Sequence, residues 1–386
     1  RHTSWGVLQS WRTTSAEQLA ALTGSRYFLD PSYSQIEASF ALGLIDIGVF
    51  ANYAAPSAGA NRYSLYRPSN TDSFSKRIEP TLTGPELLSI TAGQPWSGGG
   101  QYDRHNLLAT ELGLRAAEYL PIGAVLGEQL SSADLLTGSG IGQKLAKADN
   151  RRADGTLVRG DGMRIAFELT ATASASFESK VRRWAELIAA RPLETSGLTV
   201  VFVAAPHPDR PRHTSSDPRH GIYKTVAQVL KGFPGRGHDS PAARMGIAHW
   251  ERWFPGRHLV GESFLNLEAD FAINDATGPD RWSTRGMLND YAFEPWHTFD
   301  ATAVLKNSKL LAATPHWMRR GDHTHLIGSP MDRAGVDVPH PAPAKPHLTK
   351  GRMLGAAVGN GGDAKLPARL RIDWKPGELA AVRPSC

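Results

Sequence analysis

At 386 residues the chain is longer than one hydrophobic core usually supports, so two or three domains are expected, and a hydrophobic content of 41% suffices to build them. A single cysteine, Cys386, excludes an intrachain disulfide and a cysteine-ligated zinc site and fits a reducing, cytoplasmic setting. The net charge of +6 suits a polyanionic partner without requiring one, no apolar run is long enough to span a membrane, and the opening Arg1-His2-Thr3-Ser4 is not a signal peptide and, lacking methionine, reads as cut from something longer.

Trp5, Leu8 and Trp11 recur at near-helical spacing and predict a first helix over 5–12. Thr14 and Ser15 each offer an N-cap for a second, Ala16 to Thr23, because Thr14-x-x-Glu17 and Ser15-x-x-Gln18 both fit a capping box; Gly24 ends it. Asp30 as cap and Pro31 at the first helical position predict a third helix, with Tyr33, Ile36, Phe40, Ala41 and Leu44 on its apolar face. Ile45–Phe50 and Tyr63–Arg67 then read as two strands of a hairpin.

Three helices and a hairpin in this order make a winged helix-turn-helix over residues 1–70, whose third helix would enter the major groove of double-stranded DNA. Its exposed face would hold Ser34, Gln35, Ala38 and Ser39, with Gln35 placed for an adenine edge and Ala38 for a thymine methyl. That face has no cation, so phosphate contact would fall to Arg62, Arg67, Lys76 and Arg77 around the wing. The alternative use of such a module is protein contact, including homodimerisation.

Residues 71–104, rich in Pro and Gly, read as a linker. A helix starts near His105 and sets Glu111 among Leu107 and Leu114; the basic cluster Lys144, Lys147, Arg151 and Arg152 follows an irregular stretch and is either a solvated loop or a backbone contact. Strands are then predicted over 155–159 and 163–172, a helix over 177–190 with Phe177, Val181, Trp184 and Ile188 inward, and a buried strand over 198–204. This is an α/β core, placed at 105–210 in an α+β multidomain chain, and 211–386 is left as a C-terminal extension of unknown fold with many of the tryptophans and histidines.

Alternation along the second strand puts Glu168 and Thr170 on one face, and Asp154 at the start of the paired strand lies close by. Two converging carboxylates suit a hard divalent cation, which activates water and stabilises charge on a phosphodiester. The bland readings are that Asp154 opens a turn with Gly155 and that Glu168 pairs with Arg164 or Arg183. His323-Thr324-His325 lacks a supporting ligand, and Gly138-Ser139-Gly140-Ile141-Gly142-Gln143-Lys144 lacks the final Ser/Thr of a phosphate loop. Tryptophans 250 to 317, interleaved with arginines, are explained more simply by core packing than by base stacking.

Ala153-Asp154-Gly155, then Phe167-Glu168-Leu169-Thr170, then a helix and an apolar strand resemble the PD-(D/E)XK nuclease fold. With the N-terminal module and the run His105-Asn106-Leu107-Leu108-Ala109-Thr110-Glu111, the layout of residues 5–205 resembles the replication-relaxation family of actinobacterial plasmids and mobile elements. The resemblance implies Asp154 and Glu168 as ligands of Mg2+ or Mn2+, Glu111 as a third carboxylate, and no organic cofactor. Thr170 stands where the nuclease pattern has lysine, and a hydroxyl does not replace that charge. Lys180 on the following helix compensates if its ammonium reaches the strand; in Lys180-Val181-Arg182-Arg183 it equally reads as a surface lysine. The implied function is double-stranded DNA binding with metal-dependent nicking or cleavage, affinity coming partly from the basic surfaces at 144–152 and 180–183, Arg183 included. The alternatives are a non-catalytic transcription or replication regulator and a protein-interaction module.

Overall fold

The structure, a computed structural model, describes residues 2–29, 33–49, 64–91, 93–98, 103–137, 151–205, 218–235, 237–255, 260–272 and 281–288. Asp30, Pro31, Arg62, Lys144, Lys147, the glycine-rich run 138–144, His323, His325, Trp296 and Trp317 lie outside the described residues. The described residues are mixed α/β and fall in two compact units, one within 2–118 and one within 119–288.

In the first unit α1 (His2–Trp11) leads through the short strand β1 (Thr14–Ser15) into α2 (Ala16–Thr23). Of the two caps on offer Ser15 is used: its hydroxyl accepts from the Gln18 N–H at 3.2 Å, and the Gln18 side chain accepts from the Ser15 N–H at 3.1 Å. Gly24 closes α2 at φ 70°, the left-handed conformation that glycine adopts without strain. A 3-10 turn over Arg26–Leu29 comes before α3 (Ser34–Ala41), which is capped at Tyr33 and so starts three residues later than Pro31 predicts. At the cap position Tyr33 sets its ring edge-on to Phe28, with centroids 5.4 Å apart. β2 (Ile45–Val49) and β3 (Ser64–Pro68) pair antiparallel, and β1 pairs with the other edge of β3.

The stretch expected as a linker is folded. A π turn at Phe74–Ile78, a 3-10 turn at Glu79–Thr81 and α4 (Gly84–Thr91) precede α5 (Asp103–Tyr119). Phe74 stacks on Trp96 with ring centroids 4.3 Å apart, and α4 buries Ile90 and packs on α1. Gln9 and Arg12 donate to the carbonyls of Pro95 and Ser97, each at 2.8 Å, so the proline- and glycine-rich turns serve close packing rather than separation.

The second unit runs β4 (Ala124–Gly127), α6 (Ala133–Leu136), β5 (Gly155–Val158), β6 (Arg164–Thr170), α7 (Ala175–Ala190), β7 (Leu198–Ala204), α8 (Pro218–Leu230), α9 (Pro241–Arg244), β8 (Met245–His249), α10 (Trp250–Trp253), α11 (Glu262–Leu265), β9 (Glu268–Ala272) and β10 (Trp282–Gly286). The strands form one sheet in the order β10-β9-β8-β7-β6-β5-β4, parallel at β6/β7 and β7/β8 and antiparallel elsewhere. β7 is buried at every position, which requires a neighbour on each edge. β8 supplies the second, from Val200 opposite Met245 to Ala204 opposite His249, so the sheet continues well past the boundary expected at 210. Phe177, Val181, Trp184 and Ile188 of α7 and Ile222, Val226 and Leu230 of α8 pack with Ala166, Val200, Phe202 and Ile247 in one core.

Gly155 lies against the Phe167 ring of the paired strand, where an added Cβ would collide with it. Gly155→Ala is therefore expected to cost about 1–3 kcal/mol of unfolding free energy in a urea titration; an unchanged midpoint would show that the ring gives way freely.

Candidate functional site

β6 presents Ala166 and Glu168 to α7, whose first turn is capped by the Ser174 hydroxyl, accepting from the Phe177 N–H at 3.2 Å. Lys180 and Trp184 are one helical turn apart and therefore share a face. Both bind Glu168: Trp184 Nε1 donates to Oε1 and Lys180 Nζ donates to Oε2, each at 2.7 Å. Glu168 is 1% exposed, whereas the Lys180 side chain keeps 32% of its surface in contact with solvent. Asp154 stands one residue before β5, where the register Gly155↔Phe167 brings it level with Glu168. Its main-chain N–H donates to the Phe167 carbonyl at 3.0 Å, and its Oδ2 accepts from the Leu169 N–H at 2.6 Å.

Burial pushes the Glu168 carboxyl up to about 7; Asp154 adds to the rise, while Lys180 and Trp184 oppose it. For Lys180 burial disfavours the charge, but Glu168 and Asp154 outweigh it and hold the ammonium charged above the usual lysine range. Lys180 is thus the partner that makes the buried carboxylate tenable, which replaces the surface-lysine reading and the pairing of Glu168 with Arg164 or Arg183. Arg164, itself buried, donates to the carbonyls of Leu136 and Ser196.

Other expected residues stand elsewhere. Thr170 turns its hydroxyl to the Thr172 carbonyl at 3.0 Å. Glu111 lies in the first unit, where its carboxylate accepts from Arg115 at 3.0 Å and from Gln18 at 3.3 Å as a buried, helix-internal ion pair. Ser39 is buried and accepts from the Trp5 indole N–H at 3.1 Å, since a buried indole needs an acceptor. On α3 only Ser34 is exposed, with Gln35 and Ala38 half-buried. Arg67 is buried against Asp46, its cross-strand neighbour, at 3.2 Å, and is not a wing phosphate contact. Arg151 lies along α7, donating to the Arg183 carbonyl with Glu186 at 4.0 Å, and Arg152 is half-buried, bridged to Ser132. Arg183, Lys76 and Arg77 are exposed.

A second polar group joins five elements that the sequence left unassigned. Tyr223 on α8 donates its hydroxyl to Asp270 Oδ2 on β9 at 2.5 Å, and His249 Nε2 at the end of β8 lies 2.7 Å from the same hydroxyl. A phenol has one proton, so His249 is the donor in that second bond. Thr284 of β10 donates to Asp270 Oδ1 at 2.5 Å, and Arg252 stands 3.7 Å from Asp270. Burial, followed by Asp270, raises the Tyr223 pKa and keeps the phenol protonated. No short motif links these residues; only the fold brings them together.

Among the described residues no group of three or more His, Cys, Asp or Glu side chains is placed to hold a metal ion, and no helix is long and apolar enough to cross a membrane. Asp154 and Glu168 are oxygen donors of the kind a hard divalent cation takes, Mg2+ commonly using one or two protein carboxylates and completing its shell with water and substrate phosphate. The mutual effect of their charges is what such a cation relieves. Comparison with protein-family models, with curated proteins and with solved structures finds no match.

Because the folded chain holds the Glu168 proton more tightly than the unfolded chain does, this group's contribution to stability is fullest below its ordinary value and declines as pH rises. Between pH 4.5 and about 7 the wild type is expected to lose stability relative to Glu168→Gln in parallel urea titrations. A difference that stays constant over that interval would contradict the assignment.

Proposed function

We propose that the chain is a cytoplasmic, double-stranded DNA-binding protein of a bacterial plasmid or mobile element, with a winged helix-turn-helix at its N-terminus and a nuclease-like site that nicks or cleaves DNA with a divalent metal. The observation that carries the reading is the Glu168–Lys180 pair with Asp154 level with it. The Glu168–Lys180 contact, with Asp154 level with Glu168 in register, stands where an antiparallel β4-β5-β6 set passes through α7 into the parallel strand β7. The lysine that the nuclease pattern places at position 170 has, on this reading, moved one element downstream to α7. The N-terminal half is supported by α2, α3 and the β2/β3 pair, in the order helix, helix, hairpin.

In this scheme Asp154 and Glu168 hold the cation, and a bound Mg2+ or Mn2+ supplies Lewis-acid polarisation of the phosphodiester and a water of lowered pKa. Trp184 fixes the rotamer of Glu168 through Oε1, and Lys180 places a positive charge beside the phosphate oxygen that gains charge. Ser34 and Gln35 are left to touch bases, and the exposed Lys76, Arg77 and Arg183 to touch phosphates.

One observation favours a non-catalytic regulator as the second reading: both Glu168 oxygens are already engaged by protein donors. The two readings part on supercoiled plasmid with Mg2+ or Mn2+. Nicking by the wild type is expected, slowed about 100-fold or more by Asp154→Ala and by Glu168→Ala, and DNA binding should weaken steeply with added salt. Equal nicking by all three proteins, or none on a verified target, removes the enzymatic claim, and salt-independent binding removes the DNA claim.

A further inference from the structure

A cation can reach Glu168 only by contacting one of its oxygens, at about 2.0–2.1 Å for Mg2+. Oε1 already accepts from Trp184 and Oε2 from Lys180, each at 2.7 Å. The two donors differ in their freedom to leave. Trp184 is 1% exposed and wedged in the α7–sheet core, and withdrawing its ring would strand a buried N–H and open a cavity. Lys180 ends an unbranched four-carbon stem at the solvent edge of the cluster, and its ammonium is readily hydrated.

We propose that Lys180 is a gate: its ammonium, paired with Glu168 Oε2, excludes divalent cations from the carboxylate pair until the phosphate backbone of a nucleic acid draws it away. The inference rests on the reading of Asp154 and Glu168 as a cation site for phosphodiester chemistry, and it adds an order of events. An ammonium and a divalent cation repel each other when both contact one oxygen, so the ion pair and the cation compete. A phosphate offers Lys180 an alternative partner of the same charge sign as Glu168, with more acceptor oxygens. It also adds a ligand for the cation, so substrate arrival opens the site and helps fill it. Asp154 stays in place throughout, held by the Leu169 N–H. The protein is then a weak metal binder alone and a competent one on its substrate, which keeps an uncommitted site from cutting.

The test is a Mn2+ titration read by loss of the free-ion paramagnetic resonance signal, on the full chain. Wild type, Lys180→Gln, Lys180→Ala and the double variant Asp154→Asn/Lys180→Gln are compared, with folding checked by circular dichroism. Glutamine retains a donor for Oε2, so the helix–strand contact survives without the charge. Loss of the charged hydrogen bond is expected to tighten Mn2+ binding about 10- to 100-fold in both single variants, and the double variant returns to weak binding. A short DNA duplex should shift the wild type toward the single variants and leave those variants unchanged. Equal Mn2+ affinity in wild type and Lys180→Gln overturns the gate and leaves the cation site standing. Absence of Mn2+ binding in every protein, with and without duplex, overturns gate and site together. If neither single variant folds, the wild type decides: an affinity for Mn2+ unmoved by saturating duplex overturns the gate.

Discussion

The second unit is organised around one costly act, the burial of the Glu168 carboxylate beneath a helix. A buried charge without partners costs several kcal/mol even after relaxation, so β6 and α7 must meet in the one alignment that offers both the Trp184 N–H and the Lys180 ammonium. Because the two donors sit one turn apart, satisfying both sets the rotation of α7 about its axis as well as its position along the strand. The same alignment brings Phe177, Val181 and Ile188 onto the sheet. Asp154 extends the constraint to β5 by accepting from Leu169, so three consecutive elements are tied at the end of the sheet where the carboxylates lie. Packing and site geometry are here the same set of contacts.

A similar economy of polar groups governs the first unit. Glu111 and Arg115 face each other one turn apart, with Gln18 donating from α2, and Arg67 meets Asp46 across the β2/β3 pair. Each pair consumes a group that a linear reading offers to DNA or metal. What remains exposed near α3 is small: Ser34, with Gln35 and Ala38 partly covered. On the proposed function this surface chooses orientation and sequence, and the grip on phosphates comes from exposed cations elsewhere.

The parts of the fold legible in the sequence are those with a local physical signature. The Ser15–Gln18 box announced α2, the 3.6-residue stripe from Phe177 to Ile188 announced α7, and the unbroken apolar run Leu198–Ala204 announced β7. β4 and β8 are short, β9 is only partly buried on alternate positions, and their identity as strands depends on neighbours distant in the chain. For the site, alternation along β6 put Glu168 and Thr170 on one face, yet it did not decide whether Arg164, Arg183 or Lys180 would meet Glu168, because reach across space is not written in spacing along the chain. Whether Glu111 served a metal or Arg115 was equally undecidable from spacing, since an i, i+4 ion pair and a ligand on a buried face look alike in one dimension. The Tyr223–His249–Asp270 group carried no sequence signal, being assembled wholly by the sheet.

The central proposal is that Asp154 and Glu168 form one cation-binding site where β5 begins beside the far end of β6. It is tested most directly by diffraction at the manganese absorption edge from crystals of the chain with a short DNA duplex, grown in Mn2+. The account predicts an anomalous peak between the two carboxylates, with Lys180 turned from Glu168 toward a phosphate. A duplex-bound protein with Lys180 still on Glu168 and no peak between Asp154 and Glu168 would contradict it.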